Sequence, residues 1–416
     1  MKKVNILILT VLSILFFVSC SDDNTPTEPD NPTPKVNYTI GVLIPLTGVA
    51  ESNGRQSKAA VELAVQDINN YFSASNIHVK INVIYKDSGT DSVQAQKMLK
   101  EFADDSIKIV IGPYSSTVLK GLKHFADSAG IILISHSSIS NYLAISGDNI
   151  FRFVPSDKWQ AKAIAKIMLA DNKFAIIPLI RDDVWGRALF EEVEKVLEPT
   201  QISLQVPIYY PPTQTNFSSI IQNIKTQIVN LQSSFLEKEI GVYMVTYGEG
   251  LEILRQSSYF DDVKNIKFYG ANAFAWNDDV RKNDRAASTA VSTKLECPIM
   301  GYDYDYKDRY TPFIERLIVK IGREPDSYAT SIYDALFAAG LTLSRSSDTI
   351  STDKIKKELR TVLDSYIGLN GKVQLDENDD RINMVYDFMT LKLSDDIYKW
   401  FVSAKYDPET DELVRE

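Results

Sequence analysis

Cysteine is nearly missing from this chain: in 416 residues there are two, Cys20 and Cys297. Cys297 has no histidine or second cysteine near it in sequence, so a thiolate metal site is excluded there. It reads as a small apolar core residue on a strand. Histidine is also scarce. His78 falls in a strand-like run, His124 in a helix-like one, and His136 between serines. Residues so dispersed do not assemble a metal centre. A catalytic nucleophile needs a base in contact with it and a group to orient the base. No such set is laid out and no G-x-S-x-G elbow occurs, so the chain is read as a binder and not an enzyme. The adjacent acids Asp182-Asp183 and Asp278-Asp279 point apart, as chain neighbours do, and read as solvated surface rather than a glycosidase pair. There is no long basic block and the net charge is -10, which argues against nucleic acid as a partner. Past Cys20 no apolar run is long enough to cross a bilayer.

What is present begins with an export signal. Lys2 and Lys3 precede a largely apolar stretch from Val4 to Val18, which stops at Ser19-Cys20. The stretch is too short for a mature membrane span and has the parts of a secretory signal over residues 1–19. An apolar run that ends on cysteine implies cleavage before Cys20 and diacylglyceryl attachment to its thiol; in an ordinary signal peptide that cysteine would be incidental. Phe17 stands where bacterial lipoprotein signals usually carry an aliphatic residue. With Cys20 lipidated, no intrachain disulfide forms. Residues 20–37 hold four prolines and a single aliphatic residue, Val36. Such a segment does not bury enough apolar surface to fold and reads as a disordered tether. Ser21-Asp22-Asp23-Asn24 resembles the acidic run of lipoproteins from Bacteroidota-type bacteria, where it accompanies surface display. The expected location is the bacterial cell envelope, lipid-anchored, facing the periplasm or the outside.

The remaining ~380 residues exceed one ordinary domain, and two are expected. Residues 38–46 read as a continuous apolar strand. The helix 54–70 places Ala59, Ala60, Leu63, Ala64 and Ile68 on one face. Strands at 78–85, 107–112 and 131–135 alternate with helices at 92–103 and 115–127. The rhythm restarts after Phe153-Val154-Pro155-Ser156-Asp157, with helices at 159–169, 185–197, 217–229 and 249–258 between strands at 174–180, 239–247, 267–271 and 296–302. Two tandem sets of βα units predict an α/β protein of two Rossmann-like three-layer lobes around parallel central sheets. Helices at 310–321 and 327–343 follow without a sheet of their own. The tail, Met384–Leu393 and Tyr398–Tyr406, is β-like.

In open α/β sheets, ligands gather at the carboxyl ends of strands. Gly112-Pro113-Tyr114-Ser115-Ser116-Thr117 joins a strand to a helix, where free N–H groups and hydroxyls suit an anion; plain helix capping by Ser115 or Ser116 explains the same residues. Ser135-His136-Ser137-Ser138-Ile139-Ser140-Asn141 follows the next strand and is more polar than a turn requires. In the second set, Trp185 and Tyr247 follow strands as aromatic walls, with core packing as the alternative, and Asn272 follows another.

Taken in order, IGVLIPLTG with Gly54, IVIGPYSS, ILISHSSIS, FRFVPSD, DDVWG, the Tyr333-Asp334-Ala335 helix and GLNGKVQLDENDDR resemble the branched-chain amino-acid-type (leucine/isoleucine/valine-binding-like) substrate-binding proteins of ABC transporters. The likeness covers residues 38–416 and implies the type I periplasmic-binding fold, with three crossovers near Pro155, Tyr302 and Arg381. The first lobe is then 38–155 plus 303–380 and the second 156–302 plus 381–416. The resemblance assigns the ligand carboxylate to Ser116, with Ser115 as the near alternative. The family loop S-P-S-S-T reads Ser135-His136-Ser137-Ser138-Ile139 here, so Ile139 offers an N–H but no hydroxyl for an α-amino group. Asn53 falls at the aromatic position before the first helix. Trp185 and Tyr247 fall at ligand-flanking aromatics, and Asn272 falls where an acid faces the ammonium. An uncompensated ammonium in a closed cleft is costly. Either another carboxylate, such as Asp182 or Glu249, takes over, or the ligand has no ammonium; leucine, isoleucine and valine are expected to bind weakly.

The resemblance implies capture of a small polar solute (amino-acid-like, carboxylate or amide) by hinge closure and delivery to an ABC permease, by a monomer without cofactor or metal. The rival reading is a ligand-sensing receptor lipoprotein that signals to a membrane partner without transport.

Overall fold

The computed structural model describes residues 36–346, 351–382 and 384–416. The signal segment, Cys20 and the tether through residue 35 lie outside the described residues. The first strand, β1 (Val36–Ile44), opens earlier than expected: Val36 and Asn37 already pair with Val79 and Lys80, so these two residues belong to a strand and not to the tether.

From β1 the chain runs through α1 (Glu51–Ala74), β2 (Val79–Asp87), α2 (Ser92–Asp104), β3 (Ile109–Ile111), α3 (Ser116–Ala129), β4 (Ile132–Ser135) and β5 (Ile150–Arg152). These five strands form one sheet in the order β2-β1-β3-β4-β5, parallel throughout. Alternate residues of β1 enter different cores. Ile40, Val42 and Ile44 meet Leu63, Ala64, Ile68 and Phe72 of α1 on one face. Leu43 meets Leu99, Phe102, Leu119 and Leu122 of α2 and α3 on the other. Each such side chain contributes roughly 1.5–3 kcal/mol on burial. Covering on both faces is what the unbroken apolar strands encode.

The second set continues with α4 (Asp157–Ala170), β6 (Ala175–Arg181), α5 (Val184–Leu197), β7 (Ser203–Leu204), β8 (Ile208–Tyr210), α6 (Ser218–Leu231), β9 (Ile240–Val245), α7 (Gly250–Ser257), α8 (Asp261–Lys264), β10 (Lys267–Gly270), α9 (Asp278–Lys282), α10 (Asp284–Ser292) and β11 (Glu296–Met300). Next come α11 (Lys307–Ile321), α12 (Tyr328–Ser344), α13 (Thr352–Ser365) and the short pair β12 (Ile367–Gly368) and β13 (Gly371–Lys372). Ile332 and Leu336 of α12 and Ile355 and Leu359 of α13 fill the core beneath the first sheet. β14 (Tyr386–Ser394), β15 (Ile397–Asp407) and β16 (Glu412–Arg415) end the described chain.

The second sheet has nine strands in the order β16-β15-β14-β11-β10-β9-β6-β7, with β8 also on β6. Its central strands β11, β10, β9 and β6 run parallel, as expected, and one edge is antiparallel: β14 lies against β11, and β15 and β16 follow as hairpins. The reason is connectivity. β14 enters from the other lobe rather than through a covering helix, and the β14–β15 turn at Asp395-Asp396 has both residues at positive φ, which suits a two-residue hairpin.

The chain passes between the sheets three times, at β5 to α4, β11 to α11 and β13 to β14. Side chains lace these passages together. Asn370 Nδ2 donates to Gly301 O at 2.8 Å, and Arg381 donates to Asn370 O at 2.7 Å. Arg152, fully buried, makes a bidentate pair with Asp380 and donates to Ser140 O at 2.7 Å.

Candidate functional site

The carboxyl ends of the two sheets face each other. Between them lies a cleft of about 750 Å³, lined on the first-sheet side by Asn53, Gln56, Tyr114, Ser115 and Asp326, and on the other by Tyr247, Gly248, Ala273 and Trp276. Backbone close approach shapes its edge: a Cβ on Gly54, beside Asn53, would meet Pro45 O at 1.7 Å. Only glycine lets α1 start against the end of β1. Trp276 takes a φ of 59°, a left-handed conformation uncommon for a bulky residue.

The polar turns divide into a residue that lines the cleft and residues that stand behind it, all of them buried. Ser115 sits at the cap position of α3 but makes no capping hydrogen bond through its side chain, and it lines the cleft. Ser116, Ser137, Ser138 and Ile139 lie behind it, all buried. Ser137 Oγ donates to Tyr114 O at 2.8 Å, Ser138 Oγ to the same oxygen at 3.4 Å, and Ser116 Oγ accepts from Ser140 N at 3.4 Å. These hydroxyls therefore brace the β3 and β4 turns against each other. His136 is fully buried beneath them, 3.1 Å from Ser57 Oγ, and burial pushes its imidazole down to about 3. Its Nδ1 has no partner, so no carboxylate orients it as a base.

Asn53 donates to Asp326 Oδ2 at 3.1 Å, and Gln56 donates to Asp326 Oδ1 at 2.6 Å. Trp185, placed by the Asp183 cap on Gly186 N at 2.8 Å, is only 2% exposed. It stands behind Tyr247 rather than at the open face. Glu249 accepts from Arg181 at 2.6 Å and from Tyr210 OH at 3.0 Å, and the Arg181 guanidinium lies 4.8 Å from the Tyr247 ring centre. Asp182 pairs with Arg187 at 2.5 Å. Both carboxylates named from sequence as substitutes for the missing acid are thus already committed to arginines.

Asn272 is buried and donates its side-chain amide to Tyr328 OH, joining the second lobe to α12. Its backbone N–H donates to Gln160 Oε1 at 2.7 Å. Other bonds cross between the lobes: Asn141 Nδ2 to Glu192 at 3.0 Å, Ser140 Oγ to Val184 O at 3.3 Å, and Tyr142 OH to Glu191. The apolar cluster holding Tyr114, Ile139, Trp185, Tyr328 and Tyr386 is continuous across them.

Sequence reasoning missed Tyr114, Tyr328, Asp326 and Asp157. Tyr114 was visible inside the Gly112–Thr117 turn, and Asp326-Ser327-Tyr328 as an acid and aromatic opening a helix. Asp157 lies in a quoted motif, but its surroundings come from distant residues.

The sequence pattern of the periplasmic binding protein family matches residues 37–396. An uncharacterized protein of Methanocaldococcus jannaschii is 24% identical over 390 residues, covering 89% of this chain and 91% of its own. Among solved structures, the branched-chain amino acid transporter substrate binding protein LivJ from Streptococcus pneumoniae, in complex with isoleucine, superposes with a TM-score of 0.71. Its identity is 18%, over 91% of this chain and 100% of that one. A solute binding protein of an ABC transporter from Rhodopseudomonas palustris, in complex with 3,4-dihydroxy benzoic acid, gives a TM-score of 0.72 at 16% identity, over 89% and 98%. At such identities the solved structures speak for the fold.

Proposed function

Since this chain belongs to the periplasmic binding protein family and has the type I fold, we propose that it captures one small polar solute between its lobes and passes it to an ABC-type permease. The observation that carries this reading is Ser115. Its hydroxyl makes no cap bond and faces a cleft of about 750 Å³, at the start of a 14-residue helix, with Tyr247 on the opposite wall. Backbone N–H groups at a helix start favour negative charge, which supports a carboxylate or comparable oxygen group at Ser115 and Ser116. Asn53 and Tyr247 form the surrounding wall in this reading, with Trp185 stacked behind Tyr247. Ser137, Ser138, Ile139 and Asn272 form its floor.

The lobes in this reading are 38–155 with 303–380 and 156–302 with 381–416, turning about the three passages; few crossings allow hinge closure. The protein acts outside the cytoplasm as a monomer held by lipid on Cys20. Among the described residues no helix is long and apolar enough to cross a membrane.

A thermal-shift screen of the purified protein against amino acids, carboxylates, amides and ureas tests the reading, followed by calorimetry. A ligand at a hundred times its Kd stabilises by about 2.7 kcal/mol. The expected result is 1:1 binding of one such solute, weakened by Ser115→Ala. No stabilisation by any of these classes overturns the reading.

A further inference from the structure

The first-sheet side of the cleft is cationic, in a chain whose net charge is -10. Four basic residues line it, Arg55, Lys58, Lys320 and Arg323, against two acids, Glu62 and Asp326. Their pairing decides which charges are left for a ligand. Arg55 pairs with Glu51, and Lys320 with Glu62 at 2.9 Å. Asp326 is buried, and its oxygens accept from Asn53, Gln56 and Tyr328 N. Both acids of this wall are therefore committed.

Two of the cations are not. Arg323 lies on the loop between α11 and α12 and gives its hydrogen bonds to neutral acceptors: Gln56 Oε1 at 3.2 Å, Glu324 O at 2.9 Å and Ser52 Oγ at 3.4 Å. Gln56, only 1% exposed, fixes it in place, because the same Oε1 accepts from Asp326 N at 3.1 Å. The guanidinium is thus held at the cleft by a buried amide, and among the described residues no carboxylate touches it. Lys58 likewise forms no ion pair among the described residues; its Nζ stands 5.4 Å from the centre of the Tyr85 ring. Across the cleft, Asp278 is paired with Arg281 and Lys282, while Asp279 is exposed and without an ion pair among the described residues.

Unpaired charges of one sign in a concave site concentrate the opposite charge there, and an arginine fork matches a carboxylate with two parallel hydrogen bonds. The size of the cleft agrees. At about 750 Å³ it lies well inside the range of roughly 300–1,000 Å³ that holds drug-sized ligands, more than a solute with one acidic head and a short tail fills.

We propose that Arg323, aided by Lys58, receives a second acidic group of the solute, so that the cleft selects dicarboxylates over monocarboxylates and over their own amides. This rests on the reading of the cleft as a solute site, in which Ser115 and Ser116 take the first acidic group.

Calorimetry tests this with glutamate, glutarate and longer dicarboxylates, each against its own monoamide, which keeps the shape and removes one charge. Wild type should bind at least one dicarboxylate about tenfold more tightly than its monoamide, and about 0.5 M salt should narrow the gap. The double variant Arg323→Gln, Lys58→Gln should lose most of that preference through weaker binding of the diacid, and should melt with wild type in the absence of ligand. A preference that survives both substitutions overturns the proposal. So does an equal loss for diacid and monoamide in the double variant that Asp279→Asn reproduces, which assigns the two cations to Asp279 across the closing cleft. Wild type that binds monocarboxylates, monoamides or other amino acids no less tightly than any diacid overturns the second acidic subsite and leaves the cleft reading intact. Wild type that binds none of these, nor any amide or urea, overturns both.

Discussion

Trp185 stacks on Tyr247 with ring centroids 4.7 Å apart and planes inclined by 26°. One ring starts α5, the other follows β9, and only Tyr247 reaches the cleft. Trp185 thus acts on the cleft by holding Tyr247. Trp185→Ala should unsettle the fold as well as the cleft, because Trp185 is buried and truncating a buried tryptophan costs about 3–5 kcal/mol. Tyr247→Ala should instead weaken solute binding by about 2 kcal/mol with a smaller loss of stability. Calorimetry and urea unfolding on the two variants separate these effects; equal stability losses would contradict the division.

Asp380→Ala should destabilise the protein by about 3–5 kcal/mol, because it leaves the fully buried Arg152 guanidinium uncompensated. Urea denaturation measures this. A loss below about 1 kcal/mol would mean that the Ser138 and Ser140 carbonyls alone satisfy the arginine.

Stability should carry an acid limb from His136. Its folded-state value is about 3 against 6.5 when free. Between those values the unfolded chain holds a proton here that the folded chain lacks, so stability falls as pH is lowered, by up to about 1.4 kcal/mol per pH unit. Burial raises Asp334 and Asp387 to about 6 and gives the opposite slope between about 6 and 3.8. The difference between wild type and His136→Gln isolates the histidine. The variant should gain on wild type as pH falls below 6.5, and a pH-independent difference would refute the assignment.

A Cβ on Gly186 would lie 2.1 Å from Arg181 O. Gly186→Ala must push the start of α5 off the end of β6, at about 1–3 kcal/mol, and should carry Trp185 away from Tyr247. Reduced tryptophan fluorescence change on ligand addition, together with a lower melting temperature, is the expected pair of signs.

Cys20→Ser in the full-length chain should abolish membrane association and incorporation of labelled fatty acid. Membrane association that survives the substitution would rule out lipid on this thiol.

The fold was legible where burial writes a pattern. Ile40–Ile44 and Ile132–Ile134 are apolar without alternation because both faces of their sheet are covered. β5 was not legible: it is three residues long and ends on Arg152, a residue type that strands seldom bury and that is tolerated here only through Asp380. The mixed character of the second sheet was hidden because β14 pairs with β11 from 86 residues away, Tyr386 against Met300, and nothing local fixes strand direction. In the site, the turns after β3, β4, β6 and β9 announced themselves by polarity and aromatics. Asp157 did not. An acid in the first turn of a helix ordinarily needs no further partner than the helix itself, and the groups around the buried Asp157, Asn141, Arg152 and Trp185 among them, come from elsewhere in the chain.

Both lobes remain unfinished until late in synthesis. The face of the first sheet that α1 covers is completed by Ile332 and Leu336, and the second sheet gains β14 to β16 only from residue 386 onward. A chain elongated as far as β11 holds most of its strands yet exposes apolar surface on both sheets. Closing each core requires contacts across long loops, which are slow to form. Such a chain closes neither core until nearly all of it is made.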